Sequence, residues 1–370
     1  MKTIMQTINP ESFRDEELEE ACRILQKGGL VAFPTETVYG LGGDAMHPEA
    51  SAKIYAAKGR PSDNPLIVHI ADMDALEDIA QSVPEAAVKL ADHFWPGPLT
   101  MIFPKKEAVP KSTTGGLETV AVRMPSHPVA RALIRESGVY IAAPIHEVAR
   151  AVIDAGGGYI AAPSANTSGR PSPTKAEHVK EDLDGRIDMI LDGGAVGIGL
   201  ESTIVDLSTG VPTILRPGYI TGEMLEDVLG EVQVDPAILS QKMNPNIVAK
   251  APGMKYRHYA PKGQMTIIEG DTGKVVDEIN RLVKEKTDEG CSVAVIATEE
   301  TKDAYACANV RSVGSRATEG SIAAGLYDIL REMDHIGAEY IYAESFEKDT
   351  LGKAIMNRML KAAAYHVIKV

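Results

Sequence analysis

Apolar and polar positions along the chain fall into short segments of two kinds, and their alternation sets the first expectation of the fold. Asp15 to Lys27 carries apolar residues at helical spacing, acidic residues in its first turn and Gly28 just past its end, which predicts a helix. Leu30 to Phe33 is a short apolar run between Gly28-Gly29 and Pro34 and predicts a buried strand. Pro65 to Ile70 predicts another, with His69 near its end. Pro84 to Phe103 reads as a helix, a turn at Trp95 to Pro98 and a strand, and Glu118 to Pro125 as a strand ending in Arg123. A helix is expected over 175–183, and strands over 187–192, 202–207 and 212–216. From about Met265 the pattern starts afresh as strand, helix, strand, helix, strand, helix, which predicts a small parallel-sheet domain. Asp235 to Lys262 holds prolines and little periodicity, as a linker does.

One stretch repeats. Pro125 to Pro144 and Pro144 to Pro163 are identical at 13 of 20 aligned positions, a tandem copy of one helix-strand unit. Two copies are too few for a solenoid, so this is a local duplication. The second copy alone runs into the hydroxyl-rich loop that starts at Ser164, so Tyr159 to Pro163 is expected in the sheet and Pro125 to Gly138 in the preceding helix. Val139 to Gly157 is then expected as an extra excursion. The alternative is that the second copy's helix takes that slot and displaces the first.

A chain of 370 residues is too long for one compact core and fits two domains. With 44% hydrophobic and 24% charged residues it has the composition of a soluble globular protein. Its start is polar, with no leader and no long apolar run, so a cytoplasmic location away from membranes is expected. Three cysteines without a C-x-x-C pair suggest neither a disulfide framework nor a zinc site. The net charge of −14 argues against a nucleic-acid coat protein but leaves room for a local basic cleft, for which Lys58, Arg60, Arg123 and Arg216 are candidates.

The chemistry is concentrated between Phe33 and Ile70, which gathers Thr35, Thr37, Tyr39, the glycines 40, 42 and 43, Lys58, Arg60, Asn64 and His69. Its hydroxyl-rich turn follows a strand, where open α/β sheets place ligands, and its glycines leave the backbone free to adopt a positive φ or to let a ligand approach closely. The loop Ser164 to Thr174 and the strand ends at Ser202-Thr203 and Arg216 repeat the theme. Taken singly, His69 suits a core histidine, Lys58 a solvated helix end and Ser202 a strand former. Gly270 to Val275 lacks the spacing of a P-loop.

The segments FPTETVYGLG (from Phe33), KGRP (Lys58), NPLIVHI (Asn64), VAVRMP (Val120), PSAN (Pro163), ESTIVD (Glu201) and LRPG (Leu215) occur in the order of the YrdC-type family. APGMKYRHYAP (Ala251 to Pro261) looks like the linker of its long form, so the chain resembles the two-domain threonylcarbamoyl-AMP synthases. The resemblance implies an α/β protein: a YrdC-like twisted mixed sheet with helices over 1–230, a flexible linker or lid over 231–264, and a small Rossmann-like parallel-sheet domain over 265–370. It also implies a nucleotidyltransferase that turns L-threonine, bicarbonate and ATP into threonylcarbamoyl-AMP and pyrophosphate, for a downstream complex that modifies tRNA. By the family pattern Arg123 pairs with the threonine carboxylate, and Thr37, His69, Ala162 and Ser202 complete that pocket. Arg60, Asn64, Thr119, Ser164, Ser172, Arg216 and Tyr259 hold ATP, with Lys58 and Asn166 completing a catalytic group around Arg60 and Ser164. Mg2+ is expected with the triphosphate, bound mainly by phosphate oxygens rather than by a protein metal site. The linker run is expected to close over the nucleotide. Weak RNA binding is a further expectation. An RNA-binding module without chemistry is the alternative reading, and carbamoyl transfer from carbamoyl phosphate is a second enzymatic one.

Overall fold

The computed structural model describes residues 2–138, 158–239, 251, 258–347 and 350–370. The strands of its first part are β1 (Ile4–Thr7), β2 (Val31–Phe33), β3 (Gly40–Asp44), β4 (Ile67–His69), β5 (Leu99–Pro104), β6 (Thr119–Arg123), β7 (Ile160–Ala161), β8 (Met189–Asp192), β9 (Thr203–Asp206), β10 (Thr213–Arg216) and β11 (Gln233–Val234). They make one mixed sheet in the order β1-β8-β2-β3-β7-β4-β6-β5-β9-β10-β11. Around it lie α1 (Glu19–Gln26), α2 (Pro48–Lys58), α3 (Asp74–Ile79), α4 (Glu85–Phe94), α5 (Pro128–Ser137), α6 (Ala176–Leu183), α7 (Gly222–Leu229) and α8 (Pro236–Leu239).

Both faces of this sheet are covered. Leu30 and Ala32 enter one apolar cluster while Val31 and Phe33 enter another, and Tyr159 and Ala161 separate from Ile160 and Ala162 in the same way. That is the period-two alternation of a pleated strand buried on two sides.

The second part is an all-parallel sheet of β12 (Gln264–Glu269), β13 (Val293–Ala297), β14 (Val310–Ser312), β15 (Tyr340–Glu344) and β16 (Val367–Lys369), in the order β14-β13-β15-β12-β16. Its helices are α9 (Thr272–Asp288), α10 (Glu319–His335) and α11 (Gly352–Ala362). Alternating strands and helices therefore do build a parallel sheet here. The two parts share apolar packing, because Val38 and Leu200 of the first join the core cluster of the second.

Strands β1, β14 and β16 are not expected from the sequence, and further details differ. The glycine cluster forms strand β3 with no left-handed φ, and of its glycines Gly40 lines the cleft. A Cβ at Gly42 would lie 2.8 Å from both Ile160 and Phe33, so packing against neighbours, not backbone freedom, requires glycine there. Strand β11 carries the first sheet to Val234, past the expected boundary at 230. Asp15–Leu18 is a 3-10 turn ahead of α1 rather than part of one helix.

Of the duplicated unit, α5 comes from the first copy and β7 from the second. Strand β7 sits between β3 and β4, antiparallel to both. The expected excursion, Val139 to Gly157, lies outside the described residues.

Candidate active site

Four strands bring polar side chains to one end of the sheet. Strands β4 and β6 are parallel neighbours with His69 in register with Arg123, and β5 runs antiparallel with Thr100 opposite Arg123. Thr100 is in register with Ile204 of β9, so Ser202, two residues earlier, is on the same face, and the Thr100 and Ser202 hydroxyl oxygens are 2.7 Å apart. The site is thus built at the carboxyl ends of β4 and β6 and the amino ends of β5 and β9.

Arg123 is 4% exposed, and all three of its guanidinium nitrogens are engaged. Nη1 donates to Thr37 Oγ1 at 2.8 Å and Nε donates to the Gly97 carbonyl at 3.4 Å. Nη2 lies 2.7 Å from Glu36 Oε1. That last contact is one of charge rather than a directed hydrogen bond, since neither Glu36 oxygen nor Nη2 has a hydrogen-bond partner of good geometry. Burial pushes the Glu36 carboxyl up, but Arg123 outweighs it and holds it below its ordinary range.

Thr35 fixes the turn, since its hydroxyl donates to the Val38 carbonyl at 2.6 Å and lies 2.9 Å from the Thr37 hydroxyl. His69 packs edge-on to Phe33 with Nδ1 3.2 Å from the Ile67 carbonyl. Burial first, and Arg123 second, drive its pKa down to about 3, so it is a neutral imidazole at physiological pH.

The other half of the cleft is cationic. Lys58 ends α2 and is 2% exposed; its Nζ donates to the carbonyls of Ser164 and Asn166, which ties the second helix to the loop after β7. Desolvation, and then Arg60, lower its pKa well below that of a free lysine. Ser164 Oγ donates to Asn166 Oδ1 at 2.6 Å, and Asn166 Nδ2 donates to the carbonyls of Thr167 and Arg170. Arg60 donates from Nε to the Asn64 carbonyl at 3.3 Å and from Nη2 to the Pro65 carbonyl at 3.1 Å, with its pKa brought down to about 10 by burial. Arg216, ending β10, donates from Nε to the Ser202 carbonyl at 3.0 Å and from Nη2 to Ser202 Oγ at 3.1 Å. It joins the two halves through Ser202.

Twelve of the fourteen residues singled out in the sequence line this one cleft: Thr37, Lys58, Arg60, His69, Arg123, Ala162, Ser164, Asn166, Ser172, Ser202, Arg216 and Tyr259. Asn64 and Thr119 are not among its lining residues. Asn64 is 1% exposed and serves Arg60 through its carbonyl. Thr119 opens β6, four residues or about 13 Å of strand from Arg123. Thr35, from the same hydroxyl-rich turn, also lines the cleft, as do Arg170, Glu201 and His258, to which the resemblance assigns no role. Of the expected lid, His258 and Tyr259 are at the cleft, whereas 252–257 lie outside the described residues.

The comparisons with known proteins agree in both domains. A family profile described as Sua5/YciO/YrdC, telomere recombination, matches residues 23–218, and one described as threonylcarbamoyl-AMP synthase, C-terminal domain, matches 220–364. A threonylcarbamoyl-AMP synthase of Bacillus subtilis is 49% identical over 97% of this chain and 96% of its own. The chain belongs to the threonylcarbamoyl-AMP synthase family. The structure of Pyrococcus abyssi Sua5 complexed with L-threonine matches with a TM-score of 0.88 at 44% identity, covering all of both chains. A Pseudomonas putida relative of the same name is 31% identical over 98% of its length but only 56% of this chain. No helix among the described residues is long and apolar enough to cross a membrane.

The low pKa of His69 makes a stability prediction. Below its ordinary pKa of 6.5 the unfolded chain takes up a proton that the folded site refuses, so stability falls as pH drops from about 6.5 toward 3. We expect the unfolding midpoint of the wild type to decline more steeply between pH 6.5 and 4.5 than that of His69→Gln. Parallel declines in thermal melts of the two would show that His69 does not titrate differently on folding.

Proposed function

We propose that the protein is an L-threonylcarbamoyladenylate synthase, a nucleotidyltransferase acting on L-threonine, bicarbonate and ATP. The observation that carries this reading is the division of one cleft. Buried Arg123 groups with Thr37 and His69, Arg60 lies near both Lys58 and Arg216, and Ser202 joins the two groups through Arg216. A guanidinium matches the two oxygens of an amino-acid carboxylate, and a cationic end suits a triphosphate. The name of the relatives and the threonine in the Pyrococcus complex support the same assignment.

The reaction balances without a covalent enzyme intermediate. The threonine ammonium and bicarbonate give the N-carboxylate, releasing water and a proton. A carbamate oxygen then attacks the α-phosphorus of ATP, and the bond to the bridging oxygen breaks to release pyrophosphate. The side chains act by holding three reactants together and by stabilising charge. Arg123 orients the carboxylate, and neutral His69 can offer a hydrogen bond to the substrate without adding charge. Arg60 and Arg216 face the charge that grows on the leaving pyrophosphate.

Magnesium arriving with ATP would neutralise part of the triphosphate charge. Among the described residues no cluster of three or more acidic, His or Cys side chains is placed to hold a metal. Glu36 is taken by Arg123 and Glu201 by Arg358. Phosphate oxygens and water would therefore supply its ligands. The adenylate would pass to a partner complex that modifies tRNA, and a cytoplasmic location goes with that role.

The test is pyrophosphate release from ATP, with threonine and bicarbonate omitted in turn. Release is expected only with both present. Release that ignores either one sinks the assignment, and salt-sensitive RNA binding without it would favour a binding module.

A further inference from the structure

The second domain reaches the cleft through a carboxylate of the first. Glu201 lines the cleft and is 7% exposed. Its Oε1 accepts from Ser172 Oγ at 2.5 Å. Its Oε2 accepts from the Tyr327 hydroxyl of α10 at 2.7 Å and from Arg358 Nε of α11 at 3.2 Å. Arg358 also donates from Nη1 to the Pro217 carbonyl and from Nη2 to the Glu201 carbonyl. Tyr327 and Arg358 are both 0% exposed, and the Tyr327 ring lies 5.2 Å from that of Tyr259, another cleft residue. Gly199, two residues before Glu201, has a left-handed φ of 76° and packs so closely on α10 that a Cβ would lie 2.5 Å from Ala324 Cα.

We propose that Tyr327 and Arg358 are positioning residues for the nucleoside part of ATP: they fix Glu201, and Glu201 fixes the hydroxyl of Ser172. The inference rests on the nucleotide reading of this cleft. Its chemistry follows from donor and acceptor bookkeeping. An ionised carboxylate can only accept, so Ser172 must spend its single proton on Glu201. The serine oxygen then offers the cleft lone pairs alone. It is fitted to a ligand that donates, such as a ribose hydroxyl or the exocyclic amine of adenine, and not to a phosphate oxygen. Burial would push the Glu201 carboxyl up, but Arg358, Arg216 and the two hydroxyls outweigh it and hold it down to about 2. The carboxylate thus stays an acceptor at any working pH.

This also gives the second domain a task consistent with the relatives. A relative of the same name spans little more than half of this chain, so α10 and α11 would support one ligand group rather than supply the chemistry.

The experiment uses the full chain and Tyr327→Phe, which keeps the buried ring and removes only the hydroxyl. Equilibrium binding of ATP, inorganic tripolyphosphate and threonine is measured for wild type, Tyr327→Phe, Ser172→Ala and the double variant. Tyr327→Phe is expected to weaken ATP about 3- to 10-fold, the worth of one hydrogen bond, with tripolyphosphate and threonine within twofold. Ser172→Ala, which leaves the domain contact intact, should lose ATP affinity by a similar factor. The double variant should lose little more than either, because both substitutions break one relay. Unchanged ATP affinity in Tyr327→Phe, equal weakening of tripolyphosphate or threonine, or additive losses in the double variant would overturn the proposal alone. A wild type that binds no ATP would overturn the functional reading and this proposal with it.

Discussion

Replacing Arg123 by Ala is expected to raise the threonine concentration needed for half-maximal turnover by roughly 10- to 100-fold, while ATP binding changes little. A charge-assisted hydrogen-bonded pair contributes about 1.5–3 kcal/mol, which is that range of affinity. The same substitution carries a second cost, because Arg123 is the counter-ion of Glu36, whose side chain is only 13% exposed. Removing one member of a buried pair leaves the other charge uncompensated, typically at roughly 3–5 kcal/mol. The variant should therefore unfold earlier as well as bind worse, and the two effects need separating. Arg123→Ala combined with Glu36→Gln removes the orphaned charge, so it should recover most of the stability and none of the threonine affinity. Thermal melts and pyrophosphate release at varied threonine read the two effects separately. Unchanged half-saturation by threonine in the single variant, with a normal melt, would remove Arg123 from the substrate carboxylate.

Much of this site was legible because its residues sit at strand ends, where a short apolar run stops and a polar group follows. His69, Arg123 and Arg216 have that signature, Ser202 lies instead just before its strand, and the register of β4, β5, β6 and β9 brings His69, Arg123 and Ser202 together. The alternation after Met265 was equally readable and gives the parallel sheet. What was not readable has a physical reason in each case. Strand β3 is made of Gly40, Leu41, Gly42, Gly43 and Asp44, residues of poor strand propensity, and it forms because its glycines let Phe33 and Ile160 pack against it. Lys58 looked like a solvated helix end, since nothing local tells that its ammonium will meet carbonyls more than a hundred residues away. Glu36 lies inside the most informative motif, yet its worth comes from Arg123, 87 positions on. Arg358 and Tyr327 sit in helices whose periodicity marks them as buried, but the carboxylate they hold belongs to another domain. Local pattern predicts elements and strand ends; partners distant in sequence appear only when the chain is folded.

The docking of the two domains has a polar anchor whose loss should be large. Arg331 of α10 is 0% exposed; its Nη2 donates to Asp182 Oδ2 at 3.0 Å and to the Pro171 carbonyl at 2.6 Å. Asp182, at the end of α6, also accepts from the Thr167 backbone N–H at 3.0 Å and pairs with Arg170. One buried pair thus fixes both the domain contact and the loop that runs from Ser164 to Ser172. Arg331→Ala is expected to cost roughly 3 kcal/mol, the lower end for a broken buried pair, because Arg170 still compensates Asp182. Arg311 and Glu332 make a control within the second domain: their side chains are 36% and 43% exposed, and Arg311→Ala should cost under about 1 kcal/mol. Denaturant unfolding of the three proteins separates the two regimes, since they differ in burial and not in the kind of charge. A loss in Arg331→Ala no greater than that in Arg311→Ala would mean that the pair does not hold the interface, which would then rest on the Tyr327 and Arg358 contacts to Glu201 and on the packing of Val38 and Leu200 into the second core.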